Sequence, residues 1–202
     1  VLGSSAVSCL GYVMFASLVS GMGTTVFAAH SIAVTAETIF YVPGYGLRSA
    51  ASTLISNARG EGDIKKLKSV GKLSVLLTIG MMLISGLLLY IGAPLLMRLF
   101  SPSEPVVRLG AEMLRLVALS EPFFGLMIVL EGIFYGLSRT RYAFFVETVG
   151  MWGVRILFTW LCVHVWGLGL RAVWYCMIAD NVCKAILFAL PFFRKNSLLK
   201  LL

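Results

Sequence analysis

The sequence predicts an all-α, polytopic membrane protein: a bundle of six transmembrane helices. Three observations predict it. Of 202 residues, 59% are hydrophobic and only 13% are charged, against about 25% charged in a typical soluble domain. The mean hydropathy is +0.92, which excludes an ordinary soluble class. The apolar residues also gather into six runs, each near or above the ~20 residues that a spanning helix needs.

The runs cover residues 4–22, 26–57, 69–100, 110–137, 142–166 and 170–193. The first ends at SGMGTT, the second at NARGEGD, the third at SPSEP, the fourth at SRTR, the fifth at GLG and the sixth at FRKN. The second and third exceed one bilayer thickness, so they must tilt, kink or project beyond it. Pro43 and Gly44 are expected to kink the second, and Pro94 to bend the far end of the third. The stretch GEGDIKKLKSVGK (60–72) is polar and then amphipathic. It is expected to lie along the interface before the third helix turns inward. GYGLRSAAS (44–52) and GMWG (150–153) are small-residue segments that allow close helix contact.

Loop charges set the orientation, because Lys and Arg collect on the cytoplasmic side. Ten lie on one side: Arg59, Lys65, Lys66, Lys68, Lys72, Arg139, Arg141, Arg194, Lys195 and Lys200. Arg98, Arg108 and Arg171 lie on the other. Both termini of the chain are therefore expected in the cytoplasm. The formal net charge of +8 reads as topology plus attraction to anionic lipid. No aromatic-interleaved basic stripe points to nucleic acid. The chain begins with Val rather than Met, and a piece of a longer protein is expected. Cys9, Cys162, Cys176 and Cys183 match no zinc or redox spacing and read as packing residues. His30 and His164 sit near the ends of runs and carry no assigned chemistry.

Several charges cannot be placed in loops: Glu37 and Arg48, Glu121 and Glu131, Glu147 and Arg155, Asp180 and Lys184. A charge at the bilayer centre costs at least about 2.5–3.5 kcal/mol. Such residues face the bundle interior or a wet cavity. Asp180 and Lys184 stand four apart with the acid first, so they can pair along one helix face in a purely structural role. Glu131 and Glu147 lie within about two turns of the cytoplasmic helix ends and can reach water. Glu37 and Arg48 share a face but stand about 16 Å apart along the axis; each needs a partner from another helix. For Glu37, Glu121 and Arg155 a cavity-facing role is favoured. The candidate substrate- and ion-binding residues are thus Glu37, Glu121, Arg155, Asp180, Arg48 and Glu131.

The sequence contains no GxSxG, HExxH, P-loop or GxGxxG motif. No enzyme is predicted, and no cofactor. Transport without an ATP site needs an ion gradient or downhill flux, and buried carboxylates are groups that can bind H⁺ or Na⁺.

FAAHSIAVTAETIFYVPGYGLRSAASTLISNARGEGD (27–63) resembles the MATE family of multidrug and toxic-compound extrusion transporters, with its AAH-x-IA entry, Pro-Gly helix and G-x-GD turn at Gly60–Asp63. LRLVALSEPFFGLMIVLEGIFYGLSRTR (114–141) resembles the family's helix ten, GMWGVRILFTWL (150–161) its helix eleven with Arg155 at the family's arginine, and GLGLRAVWYCMIADNVCKAIL its helix twelve. The resemblance implies twelve helices in two six-helix lobes around a central cavity. Residues 1–202 then form the C-terminal lobe, helices seven to twelve. It further implies an antiporter of the bacterial inner membrane, exporting cationic or amphipathic compounds in exchange for Na⁺ or H⁺. The implied partners are that small-molecule substrate, membrane lipid and the N-terminal lobe. Residues 4–22 lack the acid that some members carry in helix seven, and the turn after helix ten reads GLSRTR. A lipid-linked oligosaccharide flippase of the same superfamily is the alternative cargo reading. It is disfavoured because mid-membrane acids outnumber bases. A non-transporting membrane scaffold or enzyme is the alternative class.

The loop charges yield a test. A single cysteine in place of Lys66 should react with membrane-impermeant maleimide only after the cytoplasmic face is opened; labelling in intact cells would invert the topology.

Overall fold

The computed structural model describes residues 2–194, with side chains from Cys9 onward. Seven helices follow one another: α1 (Leu2–Ser20), α2 (Thr24–Gly60), α3 (Ile64–Phe100), α4 (Glu104–Ala118), α5 (Glu121–Gly136), α6 (Thr140–Val165) and α7 (Leu170–Phe193). Helices α2, α3, α6 and α7 are each long and apolar enough to cross a membrane. Helices α4 and α5 meet at 58° and together make a broken fifth span. With the 19 residues of α1, the six apolar runs correspond to six helical segments, one of them broken. Lys195 and Lys200, two of the tail charges, lie outside the described residues.

The break corrects the expectation of a continuous fourth helix over 110–137. Its cause is local. Pro122 has no N–H to donate one turn back and disfavours helical geometry at the residue before it. Ser120 turns inward instead: its N–H and its hydroxyl donate to the Val117 carbonyl at 2.7 and 2.8 Å. Conversely, the helix of α2 runs through Pro43 without interruption. Neighbouring helices and local adjustment tolerate such a proline inside a bundle. The segment expected along the interface is not a separate element: Ile64 to Lys72 are the first turns of α3 itself. Gly62 takes the left-handed conformation (φ 70°) that reverses the chain there. Asp63 then caps α3 by accepting the Lys66 N–H at 2.9 Å, the preferred arrangement for an N-cap.

Helix α2 packs against α3, α4 and α5, and α5 packs against α7. The α2–α5 contact depends on Gly132 and Gly136, a small-xxx-small pair that lets backbones approach. A Cβ at either would lie 2.5 Å from a carbonyl oxygen of α2, that of Arg48 or Ser52. Arg59 closes the same seam by donating to the Leu137 carbonyl at 2.9 Å and the Ser138 hydroxyl at 2.7 Å.

Two apolar cores result. One gathers Phe15, Ala33, Leu89, Met97, Leu114 and Trp174. The other gathers Ile55, Met82, Phe134, Phe188 and Phe192. Along α2, α3, the α4–α5 span and α7 the switch from one core to the other falls at a buried polar residue. Glu37 marks it on α2, Ser85 on α3, Glu121 at the start of α5, and Asp180 on α7. A polar layer therefore crosses the bundle between two hydrophobic halves. His30, near the end of its apolar run, is buried in the first core, edge-on to Phe15 and Trp174.

Gly132→Ala and Gly136→Ala should each destabilise the full-length protein by about 1–3 kcal/mol, because a helix must move to admit the methyl. Gly80, with open space around it, should accept Ala without loss. Thermal unfolding midpoints of the three variants decide this.

Candidate functional site

The polar layer is built from residues whose type alone makes them expensive in hydrocarbon. Its largest unit joins α6 and α7. Asp180 is fully buried. Arg155 Nε stands 2.9 Å from its Oδ2, and Lys184 Nζ stands 3.3 Å from its Oδ1. Lys184 also donates to Glu147 Oε2 at 3.0 Å, and Arg155 to Asn181 Oδ1 at 3.4 Å. Two acids and two bases sum to zero charge. Arg155 further lies over the rings of Tyr12 and Phe15 of α1, at 6.0 and 5.8 Å, a placement that favours a cation.

Helix α6 is locally widened to reach this cluster. Its turns are π-helical over Val149–Ile156 and again over Leu161–Val165. Such turns are rare and recur at functional sites. Arg155 lies in the first of them. At Gly150 any Cβ would overlap Asp180 Oδ1 and the Lys184 side chain. The glycine lets the α6 backbone meet the ion pair directly.

A second group joins α2 and α5. Glu37 is 1% exposed, and the Tyr41 hydroxyl one turn on donates to its carboxyl. The Tyr41 ring stacks on Phe124 with centroids 4.0 Å apart. Glu121, also 1% exposed, starts α5 one turn before Phe124. Neither of its oxygens has a hydrogen-bond partner among the described residues. Its side chain lies against α3, where a Cβ on Gly86 would come within 3.1 Å of Glu121 Cβ.

A third group, a pair, stands apart from that layer, about 16 Å along α2 from Glu37. Arg48 donates to Glu131 Oε2 at 3.0 Å, with Arg48 34% and Glu131 9% exposed. The rings of Tyr135 and Tyr45 flank the guanidinium at 5.5 and 5.8 Å.

The six candidates thus separate. Arg155 and Asp180 meet directly, as do Arg48 and Glu131, while Glu37 and Glu121 belong to neither ion-paired unit. Arg48 finds the acid on a neighbouring helix that its position required. Asp180 and Lys184 pair as their spacing predicts. Glu131, read as able to reach water, is ion-paired and buried, whereas Glu147 is ion-paired and keeps 26% of its side chain exposed. Sequence reasoning missed Tyr41 and Asn181. The spacing of Glu37 and Tyr41, four apart on one helix, was the available signal for the first. No group of three or more potential metal ligands clusters among the described residues.

Asp180 holds two cations in place, so Asp180→Asn should cost about 3–5 kcal/mol, the loss typical when one partner of a buried ion pair is removed. Adding Lys184→Met to that variant restores neutrality and should recover most of the folded yield. Fluorescence-detected size exclusion of both variants checks the order.

Residues 1–161 match the family model MatE. A probable multidrug resistance protein NorM of Thermotoga maritima is 22% identical over 182 residues, covering 90% of this chain and 39% of the relative. Its counterpart in Brucella suis is 28% identical over 138 residues, covering 66% of this chain and 29% of the relative. The chain therefore spans less than half the length of these relatives. The solved structure of a MOP superfamily transporter from Pyrococcus furiosus, described as having a binding pocket of reversed polarity, matches with a TM-score of 0.88 at 20% identity, over 95% of this chain and 42% of that one. That is a likeness of fold. The family consists of transporters rather than enzymes, and its members are integral to the membrane. On the family match over most of its length, the chain belongs to the MatE family.

Proposed function

We propose that residues 1–202 form one six-helix lobe of a twelve-helix antiporter in a bacterial inner membrane, with both ends of this lobe in the cytoplasm. The antiporter exports cationic or amphipathic small molecules in exchange for Na⁺ or H⁺, and the N-terminal lobe completes its cavity.

One observation carries this reading. Among the described residues four acids are buried: Asp180 and Glu131 are ion-paired, whereas Glu37 and Glu121 have no basic group within ion-pair distance. An ionised carboxylate at that depth needs a counter-charge or a proton. A proton, a sodium ion and a substrate cation can each neutralise it, and they exclude one another. Competition for one charge is what couples the two fluxes: binding of one lowers the affinity for the other by the same factor. Tyr41 orients Glu37, and the Tyr41–Phe124 stack offers an aromatic wall to a flat cation. Arg155, Asp180, Arg48 and Glu131 serve this site as a fixed, internally neutral frame.

In the full-length protein, Glu37→Gln and Glu121→Gln should insert normally and lower ethidium efflux at least tenfold per inserted molecule. Gln keeps size and hydrogen bonding and removes the exchangeable charge. Wild-type efflux from both variants would make these acids structural and put the coupling site in the other lobe.

A further inference from the structure

The α3–α4 end of the bundle, opposite the Lys-rich α2–α3 turn, carries charges that the transport reading does not use. Polar residues of α4 recur at Glu104, Arg108, Glu112 and Arg115, a spacing that lines one helix face. This stripe and Arg98 of α3 line a cavity of about 410 Å³. Further along the same two spans, Leu83, Gly86, Leu87, Tyr90, Leu119 and Pro122 line a second, apolar groove of about 280 Å³ at the α4–α5 bend. Tyr90 joins the two: it lines the groove, and the Arg115 guanidinium lies 5.7 Å from its ring. Between Arg98 and Leu87 the axial distance is about 16 Å. A polar cavity and an apolar groove thus lie along the same two spans, over the length of part of an acyl chain.

We propose that these two cavities bind one aminophospholipid from the leaflet at the α3–α4 end, with its phosphodiester on Arg108 and Arg115, its ammonium group at Glu104 and Glu112, and an acyl chain in the groove.

The charge pattern selects this ligand. Neither Arg108 nor Arg115 has a carboxylate partner among the described residues, and a guanidinium fork matches phosphate oxygens. A purely anionic ligand would make no use of the two acids that line the same cavity. Glu104 is held by Arg98 at 3.4 Å, with both side chains more than 60% exposed, a weak tether. Glu112 bonds Arg171 of α7 and sits between the two unpaired arginines. A zwitterion with phosphate and amine a few bonds apart fits the alternation. The surroundings select a lipid over a soluble phosphate. Leu83, Ile84, Leu87, Leu88, Ile91 and Leu95 of α3 are all more than half exposed beside the cavities, a surface suited to hydrocarbon rather than water. The proposal needs only the membrane placement and stands apart from the antiport reading.

The test uses the full-length parent protein, delipidated in detergent. Dioleoyl phosphatidylethanolamine, phosphatidylglycerol and phosphatidylcholine are offered in equal amounts, and retained lipid is counted by native mass spectrometry. The wild type should retain the ethanolamine lipid at least fivefold over the other two. Arg108→Gln/Arg115→Gln should lose that retention while keeping its lipid-free unfolding midpoint. Glu104→Gln/Glu112→Gln should shift preference to phosphatidylglycerol. Equal retention of all three lipids by the wild type overturns the proposal, as does unchanged retention by the arginine variant. Equal thermal protection by inorganic phosphate overturns the lipid assignment. A photoactivatable phosphatidylethanolamine asks the same of the wild type without a variant: adducts within 83–122 support the site, and adducts confined to α1 and α6 sink it.

Discussion

A charged side chain placed in hydrocarbon must find its opposite inside the bundle, and the arrangement of α6 and α7 follows from that constraint. Asp180 has no route to water. It is matched twice, by Arg155 from one helix and Lys184 from its own. Lys184 in turn reaches Glu147, so the cluster closes at zero net charge. Each link has a structural cost. Helix α6 gives up regular α geometry around Arg155, and position 150 accepts no side chain. These departures are small beside the several kcal/mol of an unmatched buried ion.

The same constraint organises the bundle in depth. Two apolar cores are separated by a layer that holds Glu37, Ser85, Glu121 and Asp180. The break between α4 and α5 falls in that layer, at Leu119 and Ser120. Ser85 meets the layer from α3 by donating to the Phe40 carbonyl at 3.0 Å. Backbone groups freed from regular helix are tolerable only where protein, rather than lipid, surrounds them. Polar side chains and irregular backbone therefore concentrate at one level of the fold.

Across the bundle the charges divide by use. The paired ones tie helices together: Arg48 to Glu131 joins α2 to α5, and Arg155 to Asp180 joins α6 to α7. Glu37 and Glu121 tie nothing together by charge. A group that contributes little to holding the bundle is free to exchange its partner, which is the property that a coupled transporter asks of a carboxyl. The division supplies a rigid frame and an exchangeable pair in one bundle.

By itself the sequence determined what depends on neighbours along the chain. Run lengths gave six apolar segments, Gly62 and Asp63 marked the α2–α3 turn, and the Asp180–Lys184 spacing predicted a pair along one face. The family motifs in 27–63 and 114–161 were equally legible, and the family match bears them out. Only the tertiary structure decided which charges meet across helices. That Arg155 belongs to Asp180, 25 positions away, and Arg48 to Glu131, 83 away, follows from how helices rotate and slide against one another. That depends on glycines such as Gly132, Gly136 and Gly150. The proline signals show the same limit. Pro43 and Pro122 look alike in sequence, yet one lies within an unbroken helix and the other follows a 58° bend. Ser120 can satisfy its own backbone and Gly86 admits the bent chain, and both are facts of packing rather than of composition.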